Sequence, residues 1–151
     1  MVFLLVCGAA CSFFIIRELD GRATNARALC ELLVITADQV ECFAKSGGEI
    51  LRGCDPALLL ACGYCGVGAP RGFLEFFENS EITDGECREI MREFAQSFGK
   101  SYKSEQVRRC KYCLGRMEAR QQAIANTLPK QKKLVLTLTV ALTLMLVILL
   151  I

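Results

Sequence analysis

The sequence contains no histidine and no tryptophan, and only 3 of its 151 residues are proline. Without histidine there can be no Ser-His or Cys-His nucleophile pair, no imidazole general base and no imidazole metal ligand. Without tryptophan, and with aromatics at 8%, no basic stripe interleaved with aromatic residues can be drawn. A net charge of +2 is also too small for the electrostatic footprint of a nucleic-acid binder. Charge is missing from both ends: every Asp, Glu, Lys and Arg lies between Arg17 and Lys133. The chain is therefore a charged middle with an apolar tail on either side.

The C-terminal tail, Leu134 to Ile151, is LVLTLTVALTLMLVILLI. At 1.5 Å per residue it reaches roughly 27 Å as a helix, close to the ~30 Å hydrocarbon thickness of a bilayer. A buried core helix would need partners on every side, which a middle of this size cannot supply. The N-terminal run Val2–Ile16 is shorter, about 22 Å as a helix. It lacks the positive n-region of a signal peptide, and Gly8 stands where a lipoprotein signal wants a larger aliphatic residue. A spanning helix is the preferred reading, with Arg17 snorkelling at its inner end. Arg17, Arg22 and Arg27 follow the first run, and Lys130, Lys132 and Lys133 precede the second. Both positive collars sit on the middle, which places it in the cytoplasm and both termini outside. The expected layout is a transmembrane helix at 1–16, a cytoplasmic helical bundle at 17–133 and a transmembrane helix at 134–151. A membrane-impermeant thiol reagent on intact cells should then leave Cys87 and Cys110 unlabelled.

The middle reads as helices throughout. No window in it alternates with period two. Leu19, Ala23, Ala26, Cys30, Leu33, Ala37, Val40 and Ala44 recur at spacings of four and three, widened by Leu29, Leu32 and Phe43. Gly21 suggests a kink near the start of that helix, and Ser46-Gly47-Gly48 its end. A short turn is expected at 49–54, then a helix capped by Asp55 with Pro56 at its first position. Pro70 should open the next, carrying Phe73, Leu74, Phe76 and Phe77. Thr83 and Glu86 have capping-box spacing ahead of a face made of Cys87, Ile90, Met91, Phe94, Ala95 and Phe98. Ser104 is the expected cap of the last helix, whose seam is Val107, Cys110, Leu114, Met117, Gln121, Ile124 and Leu128. Pro129 marks a kink beyond it. The fold class is all-α: an antiparallel bundle of five to six helices flanked by the two membrane helices.

Ten cysteines in a reducing compartment read as small buried hydrophobes rather than disulfides. Two pairs have CxxC spacing: Cys62 with Cys65, and Cys110 with Cys113. Together they make a four-thiolate zinc site conceivable, and Cys62-Gly63-Tyr64-Cys65 has redox-motif spacing. The gap between the pairs is long for structural zinc, no βαβ unit surrounds the first pair, and Cys110 belongs to a packing seam. A membrane-tethered metal- or redox-binding protein is thus the alternative reading, and no cofactor is expected. Gly99-Lys100-Ser101 imitates the tail of a phosphate-binding loop, but Phe94 stands where its first glycine belongs and a helix precedes it. The chain is not expected to be an enzyme.

The C-terminal third resembles the stage III sporulation protein AB family of endospore-forming bacteria. The residues that carry the resemblance are Phe98-Gly99-Lys100-Ser101, then Gln106, then a long helix through a basic stretch to a terminal VILLI. The N-terminal part agrees in layout, with Arg17, Arg22 and Arg27 followed by Leu29, Leu32, Leu33 and Glu41. The resemblance implies a mother-cell membrane protein facing the forespore, part of the channel complex between the two cells. It implies a soluble domain similar to the cytoplasmic domain of the type II secretion inner-membrane F-protein. It implies as partners a cytoplasmic secretion-type ATPase, stage III sporulation protein AA, and the other channel subunits. The 28 positions from Arg17 to Ala44 would put the far end of the bundle roughly 40 Å from the bilayer. Lys45, Arg52, Lys100, Lys103 and Arg108 gather there, with Glu49 and Glu105 as nearby acids. That basic end is the expected partner-binding surface, with the Phe73–Phe77 face as the substitute.

Overall fold

A computed structural model describes residues 2–149, with the side chains of residues 2–7, 9 and 147 outside the description. Six helices follow one another: α1 (Val2–Phe43), α2 (Gly47–Gly53), α3 (Pro56–Ala61), α4 (Phe73–Glu78), α5 (Gly85–Ser97) and α6 (Lys103–Leu149). Among the described residues there is no strand, only an isolated antiparallel bridge between Tyr64 and Ser80. The all-α expectation holds.

The chain forms two compact units. One comprises residues 1–23 and 123–151, the other residues 24–122.

The larger unit owes its core to two apolar seams. On α1 the seam runs through Ala26, Leu29, Cys30, Leu32, Leu33, Ala37 and Val40, all buried. On α6 the deepest residues are Cys110, Cys113 and Met117. Leu114, an expected seam residue, is only half-buried, so the buried face is turned slightly toward Cys113. Phe43 and Ala44 lie past the core and are exposed. The segments run antiparallel: Glu41 of α1 meets Lys111 of α6 at 2.9 Å, while Cys30 lies near Glu118. Between them α5 buries Cys87, Ile90, Met91, Phe94 and Ala95, five of the six residues expected on its face. Phe94 joins Phe73 and Phe98 in an aromatic cluster, with ring centroids 5.0, 4.7 and 5.3 Å apart. Such pairs add about 0.5–1.5 kcal/mol each beyond the area they bury.

The helix ends show where local chemistry overrode the sequence expectations. Ser46-Gly47-Gly48 does not simply end α1: Ser46 caps α2, accepting from the Glu49 N–H while Glu49 accepts from the Ser46 N–H. The capping box thus lies there and not at Thr83–Glu86. Asp84, one residue on, caps α5 by accepting from the Cys87 N–H at 3.1 Å. Asp55 and Pro56 start α3 as expected. Pro70 does not open α4, which begins at Phe73 after Gly72. Ser104 lies within the first turn of α6 instead of capping it. α1 runs through Gly21 as one helix, and Pro129 lies inside α6 without ending it.

Two glycines allow close backbone approaches. A Cβ on Gly48 would fall on the Arg71 carbonyl oxygen, so only glycine lets α2 meet the segment entering α4. Gly63 has φ +90°, and a Cβ there would strike the Glu81 carbonyl. Its own carbonyl accepts from the Glu81 N–H at 2.8 Å. Asn25 of α1 ties the same corner, donating to the Ala61 carbonyl at 3.2 Å.

The smaller unit is a helix pair. Ser12 donates to Thr139 Oγ1 at 2.7 Å, and a Cβ on Gly8 would lie 3.3 Å from Thr143 Oγ1. Asp20 and Lys132 pair at 2.6 Å. As the contact on one segment advances, its partner on the other recedes, so this pair too is antiparallel. Thr137, Thr139 and Thr143 each donate to a carbonyl one turn back. Phe13, Phe14, Leu134, Leu138, Leu142 and Met145 point outward, each more than half exposed. The two expected membrane spans are not supported as such: among the described residues no helix is long and apolar enough to cross a membrane. The uncharged run of α1 is short, and that of α6 continues into residues 150 and 151, outside the described residues.

Candidate basic cleft

Where α1 ends, four segments of the larger unit close around a cleft of about 730 Å³. Lys45 comes from the turn after α1, Arg52 from α2, Arg71 from the loop before α4 and Lys100 from the turn after α5. The glycines 47, 48 and 72 leave its floor without side chains, and Leu74, Phe98 and Ala44 add apolar surface. Local rules set each position. The capping box fixes the first turn of α2. Arg52 Nε donates to the Gly48 carbonyl at 3.1 Å, and the Arg71 N–H donates to Glu75 Oε2 at 2.8 Å. Gly99 takes φ +79°, a left-handed turn that ends the α5 region and presents Lys100.

The electrostatics are one-sided. Glu49 is the one acid lining the cleft, and it is already engaged: both the N–H and the Oγ of Ser46 donate to it, at 2.9 and 2.7 Å. The Ser46 hydrogen bonds, with help from Arg52 and Lys45, hold its carboxyl below the usual range. Among the described residues, no ion pair involves Lys45, Arg52, Arg71 or Lys100. Arg22, Arg92, Arg109, Lys111, Arg116, Arg120 and Lys132 pair with carboxylates; the remaining cations, spread over the surface, do not converge as these four do.

The structure therefore gathers three of the five expected partner-binding residues, Lys45, Arg52 and Lys100, into one site. Lys103 and Arg108 lie on the first turns of α6 and do not line it. Arg71, which the sequence does not single out, completes the site from the loop before α4. The close approach of Gly48 to its carbonyl is what brings it in, and one sequence alone carries no signal of that contact.

Among the described residues no group of three or more His, Cys, Asp or Glu is arranged to hold a metal ion. Cys62 is buried, while Cys65 is exposed and its thiol points to the Gly63 carbonyl. Cys110 and Cys113 belong to the packed face of α6. Burial, with smaller contributions from Cys54 and Glu31, pushes the Cys62 thiol up to about 12. Burial pushes Cys110 to about 11 and raises Cys113 as well. Thiols held protonated in this way are poor nucleophiles and poor ligands. The side chain of Cys7, within α1, lies outside the description.

The other strong polar feature is structural. Arg120 of α6 grips Asp84 with two hydrogen bonds, 3.0 and 2.8 Å, and reaches Glu86 at 3.2 Å. The Arg120 hydrogen bond is the largest influence holding the Asp84 carboxyl down, to about 2. This clamp locks the start of α5 to α6.

No curated protein and no solved structure matches the chain. The family profile described as stage III sporulation protein AB matches residues 72–151, which takes in α4, α5, all of α6 and about half of the residues lining the cleft. With more than half its length so matched, the chain belongs to the stage III sporulation protein AB family.

Proposed function

We propose that this sporulation protein is a non-catalytic, membrane-anchored platform subunit of the channel between mother cell and forespore. Its helical body would stand in the cytoplasm and receive a secretion-type ATPase, stage III sporulation protein AA, beside the other channel subunits. The observation that carries the reading is the continuity of α6. One helix supplies the packed residues Cys110, Cys113 and Met117 and then an uncharged end whose leucines are exposed, with Thr139 and Thr143 toward α1. A helix whose outward surface is apolar fits a lipid surround better than water. With residues 150 and 151 the uncharged run reaches the 18 positions from Leu134 to Ile151, near the length a bilayer needs. Lys130, Lys132 and Lys133 before it, and Arg17, Arg22 and Arg27 after the first run, favour a cytoplasmic body. The absence of histidine and the protonated thiols give no support to a catalytic or metal-binding alternative.

On this reading the basic end, Lys45, Arg52, Lys100, Lys103 and Arg108, receives the ATPase by an electrostatically steered contact. The test is capture of the ATPase by the full chain in detergent, across a salt series. Lys100→Glu with Lys103→Glu should weaken capture and flatten its salt dependence, with the circular dichroism unchanged. Unchanged capture by that folded variant would remove the ATPase from this surface.

A further inference from the structure

The basic cleft has the chemistry of a receptor for an extended peptide. From its charge pattern and lining we infer that it binds an acidic peptide segment carrying an apolar anchor, supplied by a protein partner. The inference deepens the platform reading and rests on it for the partner's place, though not for the binding itself.

Four cations, Lys45, Arg52, Arg71 and Lys100, converge on one cavity, and among the described residues none of them is held in an ion pair. Arg52 and Arg71 offer guanidinium forks suited to carboxylates. Glu49, the acid in the lining, is engaged with Ser46, and Glu75 beside it accepts from the Arg71 N–H, so the four cations outnumber the acids around them. Leu74, half exposed at the cleft wall, and the half-buried Phe98 offer an apolar seat. Gly47 has no room to become a larger residue: a Cβ there would lie 2.9 Å from the Phe73 ring. The lining favours a peptide over a nucleic acid. Of the rings that line the cleft Phe73 is buried and Phe98 half-buried, so neither offers bases a full face to stack on; the exposed Phe43, with Lys45 over its ring, lies outside the lining. Tyr102, which is open, lies outside the cleft.

The test uses the full chain in detergent micelles and fluorescence anisotropy. The probe is a fluorescein-labelled peptide of glutamates around a central phenylalanine. Controls are the same peptide with glutamine for glutamate, a labelled oligouridine, and unlabelled phosphatidylglycerol vesicles as competitor. The acidic peptide should bind, and its affinity should fall as salt rises. Arg52→Gln with Arg71→Gln should lower that affinity by about tenfold, whereas Arg92→Gln, at an exposed α5 residue paired with Glu89 outside the cleft, should leave it unchanged. Equal binding of the glutamine peptide, or no loss in the Arg52/Arg71 variant, would overturn the inference. So would oligouridine or vesicles that bind or compete as well as the acidic peptide. Peptide binding that fails while ATPase capture persists counts against the cleft alone. ATPase capture that fails while peptide binding persists counts against the platform reading alone.

Discussion

The two units are built from the same two long helices by opposite rules. In the larger unit, residues 24–122, apolar side chains point inward, rings cluster, helix ends are capped and cations pair across elements. In the helix pair, residues 1–23 and 123–151, leucines and phenylalanines point outward. Between the two helices the polar contact is the Ser12–Thr139 hydrogen bond, and the threonines of α6 bond to carbonyls of their own helix. A water-facing unit hides its apolar surface, and a lipid-facing one has no reason to. The contrast is what the proposed anchor in lipid and body in water would require.

The largest effects should follow from charge placed in the inward-facing unit. Leu33 is fully buried, and Leu33→Asp leaves an unpaired charge in the core, at a cost of about 4 kcal/mol or more. Loss of the cooperative urea transition would show it. Leu114→Asp, at a half-buried position, should cost clearly less, and equal effects would mean that the α6 face is turned differently. Phe94→Ala, at the centre of the aromatic cluster, should cost about 3–5 kcal/mol, read as a lowered urea midpoint.

The Asp84–Arg120 clamp comes next. The Asp84 carboxyl is depressed in the folded protein from an ordinary 3.8 to about 2. Its contribution is therefore complete above about pH 4 and is lost as pH falls toward 2. At about 1.4 kcal/mol per unit, the clamp contributes on the order of 2 kcal/mol, reduced by the partial exposure of Arg120. Asp84→Asn should weaken the protein at pH 6 and narrow its difference from the parent near pH 2. A difference independent of pH would contradict this.

In the helix pair the expected effects are smaller. Ser12→Ala should cost about 0.6 kcal/mol, as interhelical hydrogen bonds in lipid do, measured by unfolding in mixed micelles. Lys111→Asp disturbs an exposed pair with Glu41 and should change stability by only about 0.5 kcal/mol.

Much of this was legible in the sequence because it rests on periodicity. The seam from Ala26 to Val40 and the face from Cys87 to Ala95 follow from spacings of three and four, and both are buried. Helix ends were less legible because neighbouring candidates compete. Asp84 displaced Thr83 as the cap because its carboxylate meets both the Cys87 N–H and Arg120, and Arg120 is distant in sequence. The cleft was half legible: Lys45, Arg52 and Lys100 follow from helix ends meeting at one end of a bundle. Arg71 enters through a backbone contact at Gly48 that no local pattern encodes.

The same burial decides how the central claim, a cytoplasmic body on a membrane anchor, is best measured. Cys87 and Cys110 are wholly buried and would stay unlabelled on either side of a membrane, so they cannot report topology as the sequence alone suggested. Cys42 and Cys65 are exposed and can. Intact cells treated with a membrane-impermeant maleimide should leave both unmodified by peptide mass spectrometry, and permeabilised cells should show both modified. Modification of Cys42 and Cys65 in intact cells would place the body outside and contradict the account.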